Sequence, residues 1–233
     1  MYRPLILVIA LFSAFYTPKA SWALECQAKI PPRINVRPSQ SHVKYDFTKT
    51  KAQLNSVDVD TISPYGPQHK TSVSGLMSGS IQLKNNISFL HETHSLTQQS
   101  CIFVKTIDVE INLDPTIFVA SEFPKGSCMH SAILAHEFKH VEVDQKLVNR
   151  YHNLIGRALS DVLDARGGTY GPVHKNDLES ELNLIKHSFH DVLIRLNDNL
   201  NQERKRQQQA IDTIEEYDSI GVRCKDRHRH SHR

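Results

Sequence analysis

The chain has 233 residues, 39% hydrophobic and 23% charged, with a formal net charge of +3. That balance reads as soluble and globular, and suits one domain or two small ones. No basic run in the body of the chain suggests a nucleic-acid groove, so no nucleic-acid partner is expected.

Met1 to Ala23 has the build of a secretory signal. Arg3 supplies a short positive region, Leu5 to Phe15 an apolar run too short to span a bilayer, and Ser21-Trp22-Ala23 a small-residue cleavage site. No other run is long enough for a membrane helix, so the mature protein is expected to be exported, periplasmic or secreted, without stable membrane insertion. The four cysteines, Cys26, Cys101, Cys128 and Cys224, all lie beyond the cleavage site. Export permits two disulfides, in any of three connectivities.

Residues 24 to 40, with Pro31, Pro32 and Pro38, read as an extended leading segment. Ser41 to Thr48 alternates Val43, Tyr45 and Phe47 with polar neighbours, as a strand does. A helical turn is expected over Lys51 to Val57, and a turn at Ser63-Pro-Tyr-Gly-Pro67. Ser80 to His91 reads as two strand pieces about a turn at Asn85-Asn86. Cys101 to Asn112 is the clearest strand: Cys101, Phe103, Ile107, Val109 and Ile111 share a face that Lys105 interrupts. Asp114-Pro115 turns the chain, and Thr116 to Ala120 returns as a second strand. The first half is thus expected to form a small, mostly antiparallel sheet.

Pro124-Lys-Gly-Ser127 ends the strand pattern, and a helix is expected from Cys128 to about Ala165, stopped by Gly167-Gly168. Within it stands His136-Glu-Phe-Lys-His140. Two histidines four apart lie on one helix face and can grip one zinc ion, with Glu137 beside them as general base. The extended form of the motif is absent, since Val143 and Lys146 stand where a Gly and a third His would follow. A third ligand must therefore come from elsewhere. Val143, Leu147, Tyr151, Leu154 and Ala158 continue the face of His136 and His140 as an apolar stripe.

A second long helix is expected to cover that stripe, capped by Asn176 with Glu179. Its inner positions are Leu178, Leu182, Ile185, Phe189, Val192 and Leu196, and the same steps lead on to Asn199 and Glu203. In an antiparallel hairpin joined between Asp164 and Asp177, Glu203 comes level with Phe138, between the two histidines. Glu203 is the expected third ligand, with Glu181, Asp212, Glu215 and Glu216 as alternatives. The same register brings Cys224 back towards Cys128, leaving Cys26 for Cys101; Cys101 with Cys128 and Cys26 with Cys224 is the competing pairing. Asp212-Thr213 can cap a last short helix, and the His- and Arg-rich tail 225–233 is expected to be disordered.

The domain reading is a signal at 1–23, one domain at 24–224 (mainly β over 24–125, mainly α over 126–224), and the tail. Through His136, Glu137 and His140, and the sheet-then-helix order before them, the chain resembles zincin metallopeptidases whose third ligand is an acidic residue on a later helix. More loosely it is similar to the predicted secreted zinc-dependent proteases of proteobacteria, which share a Cys before the motif helix, a long helical hairpin and a closing segment like Asp212-Thr-Ile-Glu-Glu-Tyr217. The resemblance implies an α+β zincin-like fold, a Zn(2+) cofactor, and hydrolysis of a peptide or protein substrate by a zinc-activated water with Glu137 as general base. A peptide is expected to pair with the edge of the strand at 116–120 or 101–112. The alternative is a non-enzymatic envelope protein with a structural or vestigial metal site. Tyr151, Tyr170 and Tyr217 are the candidate oxyanion-stabilising tyrosines.

Overall fold

The longest strand, Gln99–Leu113 (β5), organises the first half of the protein. It is flanked by Ile81–Thr93 (β4) on one side and by Arg33–Gln40 (β1) and Thr169–His174 (β7) on the other. β1 runs parallel to β5, while β4 and β7 run antiparallel. A second sheet orders Lys44–Asp46 (β2), Thr116–Val119 (β6) and Gly75–Ser78 (β3), with β2 parallel and β3 antiparallel to β6. A capped helical turn, Lys51–Leu54 (α1), lies between β2 and β3. The helices are Cys128–Asp164 (α2), Leu178–Gln209 (α3) and Ile214–His230 (α4). This computed structural model describes residues 24–57, 61–66 and 72–230, with the side chains of 225–230 excepted. The expected export signal lies outside the described residues.

The fold is α+β, with two mixed sheets in place of the single, mostly antiparallel one expected. The Asp114-Pro115 turn does redirect the chain, but it hands β6 to the other sheet. No turn forms at Asn85-Asn86. These residues continue β4 opposite Val109 and Asp108, because a long partner strand holds register through them against their local preference. The inward face of β5 also changes phase. Ser88 and Phe89 pair with Thr106 and Val104, so Lys105 is an extra, bulged residue, and Ile102 and Val104 rather than Phe103 are buried before it.

α2 starts at Ser127, whose hydroxyl accepts the His130 N–H at 3.1 Å. It ends where Gly167 and Gly168 take positive φ values of 60° and 64°, and Gly168 N–H returns to Leu163 O. Its 37 residues, about 55 Å of helix, serve two cores. Ile133 and Val141 pack with Ile117 and Val119 of the second sheet. Val143, Leu147, Tyr151, Ile155, Leu159 and Leu163 pack with β5 and α3. The histidine motif sits where one core gives way to the other.

α3 does not begin on an Asn176–Glu179 box. A 3₁₀ turn covers Lys175–Asp177, the His174 ring accepts the Asn176 N–H, and Asp177 stands at the cap without a side-chain bond. The connection from α2 keeps the expected bounds but is built as a strand and a turn, β7 and the 3₁₀ turn. The buried face of α3 drifts as well, through Leu182, Ile185, Phe189, Leu193, Leu200 and Gln208. Alternating steps of four and three hold a period of 3.5, whereas a straight helix of 3.6 rotates its face by about 20° every seven residues. α4 continues beyond Cys224 to His230, where a disordered tail was expected. Disulfides join Cys26 to Cys101 and Cys128 to Cys224. No helix among the described residues is long and apolar enough to cross a membrane.

Candidate metal centre

His136 and His140 lie one turn apart on α2 and are both buried. Between them arrives Asp212, from the turn joining α3 to α4. Its Oδ1 lies 3.2 Å from His136 Nε2 and 3.3 Å from His140 Nε2. Around a tetrahedral zinc with bonds of about 2.0–2.1 Å, neighbouring ligand atoms stand about 3.3 Å apart. Among the described residues, these three form the one cluster of His, Cys, Asp and Glu with such geometry.

The protonation pattern favours a cation at this point. His140 Nδ1 faces Gln208 Oε1 at 2.5 Å, an atom that can only accept. Nδ1 thus carries the ring hydrogen, and the neutral ring directs the Nε2 lone pair at a carboxylate oxygen. Lone pair against lone pair is repulsive unless a proton or a metal lies between. The proton-only state leaves its mark on Asp212. Burial would push its carboxyl up, but hydrogen bonds from His136 and His140, the His140 charge and the Thr61 hydroxyl hold it well below the usual range. For His140, burial pulls the pKa down, but Asp212, Glu137 and Gln208 together raise it. The donor set of two imidazoles and one carboxylate fits zinc, and leaves a fourth position open.

The expected third ligand, Glu203, is not in this group. Its carboxylate accepts from Arg150, from the Tyr151 hydroxyl at 3.1 Å and from Gln207 at 2.7 Å. That places it about three helical turns along α2 from His140. The register explains the miss: Gln208 is opposite His140 and Arg204 opposite Asp144, so the residue level with His136 is Asp212. Of the alternatives, Glu216 comes close, with Oε1 3.5 Å from His136 Nδ1 while it accepts from Lys139.

Glu137 points to the other side of the motif. It is 6% exposed, its carboxylate accepts a hydrogen bond from the Met77 backbone, and burial lifts its pKa from 4.5 to about 7 despite the opposing histidines. Gly75 makes room for it. A Cβ there would stand 2.3 Å from Ile133 Cγ2 and 2.7 Å from Glu137 Oε1. Tyr217 closes the other flank, its ring edge-on to His136 at 5.3 Å and its hydroxyl donating to Asp212 Oδ1 at 3.2 Å. Burial, with Asp212 beside it, pushes its phenol well up. Tyr151 serves Glu203 instead, and Tyr170 lies in β7.

These groups line a cleft of about 480 Å³, walled by Leu76, Met129, Ile133 and Ile220 and floored by His136, Glu137 and Asp212. The strands expected to offer a free edge have none: β5 is paired on both sides, and β6 is central in its sheet. The strand that lines the cleft is β3, which among the described residues pairs with β6 alone. The spacing of His136, Glu137 and His140 was legible in the sequence; the roles of Gly75 and Gln208 were not, as nothing local marks them. Comparison with protein-family models, curated proteins and solved structures finds no match to the chain.

Proposed function

We propose that the protein is an exported zinc metallopeptidase of zincin type, with His136, His140 and Asp212 as metal ligands and Glu137 as general base. The observation that carries this reading is the convergence of two Nε2 atoms and one carboxylate oxygen beside a buried glutamate, in a cleft lined by β3, an edge strand among the described residues. Zinc held there supplies a Lewis acid that polarises a carbonyl and brings the pKa of water to about 7.

The chain's own residues do the rest. Glu137, buried in the cleft beside His136 and His140, is placed to take a proton from water and give it to the leaving amine. Its Met77 hydrogen bond fixes the carboxylate against β3. A peptide laid along β3 as an added strand has its scissile carbonyl delivered to the metal side of the cleft. Tyr217 keeps its proton and can turn its hydroxyl from Asp212 to a developing oxyanion. The two disulfides suit the oxidising compartment that export implies.

The test is zinc analysis of the purified protein together with cleavage of a mixed peptide library. The expected result is one zinc per chain, and cleavage that Glu137→Gln abolishes while its zinc content stays the same. Cleavage unchanged in Glu137→Gln would falsify the assignment of the base. A zinc-loaded protein that cleaves nothing supports a structural metal site instead.

A further inference from the structure

We infer that Gln208 is a positioning residue that fixes which nitrogen of His140 faces the metal, and that Asp144 and Arg204 fix Gln208 in turn. The inference rests on the metal-site reading above.

The Gln208 amide has one workable orientation. Its Nε2 donates to His140 O at 3.1 Å and to Asp144 Oδ1 at 2.7 Å, both acceptors only. A flipped amide would put its oxygen against the Asp144 carboxylate and its NH₂ against His140 Nδ1. Oε1 is therefore committed to His140 Nδ1, and the ring hydrogen with it. Asp144 is fully buried, and a buried carboxylate needs a partner. Arg204 grips both its oxygens, Nε to Oδ1 at 2.8 Å and Nη2 to Oδ2 at 3.0 Å. The same Nη2 also donates to Gly79 O, just past the end of β3, at 3.1 Å. The network thus ties a metal ligand on α2 to α3 and to the strand that borders the cleft. His136 is held less closely: among the described residues its buried Nδ1 makes no short hydrogen bond, and the Glu216 carboxylate lies 3.5 Å away.

Outer partners of ligating histidines typically contribute 10–100-fold in metal affinity. Gln208→Met keeps the side-chain length and removes both the acceptor and the donor. Two measurements test the inference: zinc affinity by competition with a chromogenic chelator, and the His140 tautomer by ring ¹H–¹⁵N correlation in the metal-free protein. Gln208→Met is expected to bind zinc about 10–100-fold more weakly and to lose the Nδ1–H form of His140. A second variant, Gln208→Glu, removes the amide donor while leaving an acceptor at Nδ1. It is expected to keep the Nδ1–H tautomer and to lose less zinc affinity than Gln208→Met, which a packing role alone would not predict. A folded Gln208→Met with wild-type affinity and tautomer overturns the inference, as does loss of the tautomer in Gln208→Glu. If the wild type takes up no zinc, the metal-site reading fails, and the tautomer measurement still decides the role of Gln208.

Discussion

Glu137 is held in a place that suits a neutral carboxyl when the metal is absent. Burial raises its pKa from 4.5 to about 7. Folding then retains a proton that the unfolded chain releases first as pH rises, so this residue's contribution to stability falls between pH 4.5 and about 7. At 1.36 kcal/mol per pH unit, the full loss is about 3 kcal/mol. In chelator-treated protein, Glu137→Gln is therefore expected to be more stable than the wild type at pH 8, with the gap closing near pH 4.5. Denaturant unfolding at the two pH values checks this, and parallel pH profiles would contradict it. Gly75 shows the same crowding from the other side. In Gly75→Ala the new methyl meets Ile133 and Glu137 Oε1, and either the base or β3 must shift. A misplacement of about 1 Å costs about 100-fold in rate. The expected outcome is a fall in kcat of that size with zinc content unchanged, read by steady-state kinetics beside metal analysis.

At the scale of elements, the decisive one is α4. It carries Glu216 and Tyr217 and follows directly on Asp212, yet among its described side chains only Ile220 and Cys224 are buried, while Val222 is exposed. The Cys128–Cys224 disulfide ties it to the first residue of α2. Replacing that pair by serines should weaken zinc binding by roughly tenfold or more, the size of effect seen when outer support of a ligand is lost. Replacing Cys26 and Cys101 should cost about 2–5 kcal/mol of stability with little change in zinc affinity. Equal zinc affinities in the two serine pairs would show that α4 docks without its tether. Element types were largely readable because α2 and α3 have long, regular apolar spacing, and α2 has a capped start and a glycine-marked end. Their relative register was not. It depends on how β7 pairs with β5 between them, and on a helical face that drifts away from a 3.5-residue repeat. The acidic residue that stands beside the two histidines is therefore Asp212 and not Glu203.

For the whole molecule, α2 joins two cores, and the site lies at their junction beneath an edge strand of the smaller sheet. The sequence made the α+β order visible, since alternation marks strands and helical spacing marks helices. It did not show the division into two sheets, because parallel pairing such as β1 with β5 and β2 with β6 leaves no local turn signal. A ligand that binds only the folded state stabilises by mass action, by about 2.7 kcal/mol at 100 times its Kd. For a domain of this size, zinc at that level should raise Tm by about 5–10 °C, and a chelator should reverse the gain. Calorimetric scans with and without zinc measure it.

The central claim is that two histidines of α2 and Asp212 hold one zinc ion. The direct measurement is a competitive zinc titration of the wild type, Asp212→Ala and Glu203→Ala under one set of conditions. The account predicts one tight site per chain in the wild type and in Glu203→Ala, and an affinity lower by at least about 100-fold in Asp212→Ala. Tight binding retained in Asp212→Ala, or lost in Glu203→Ala while that variant remains folded, would contradict it.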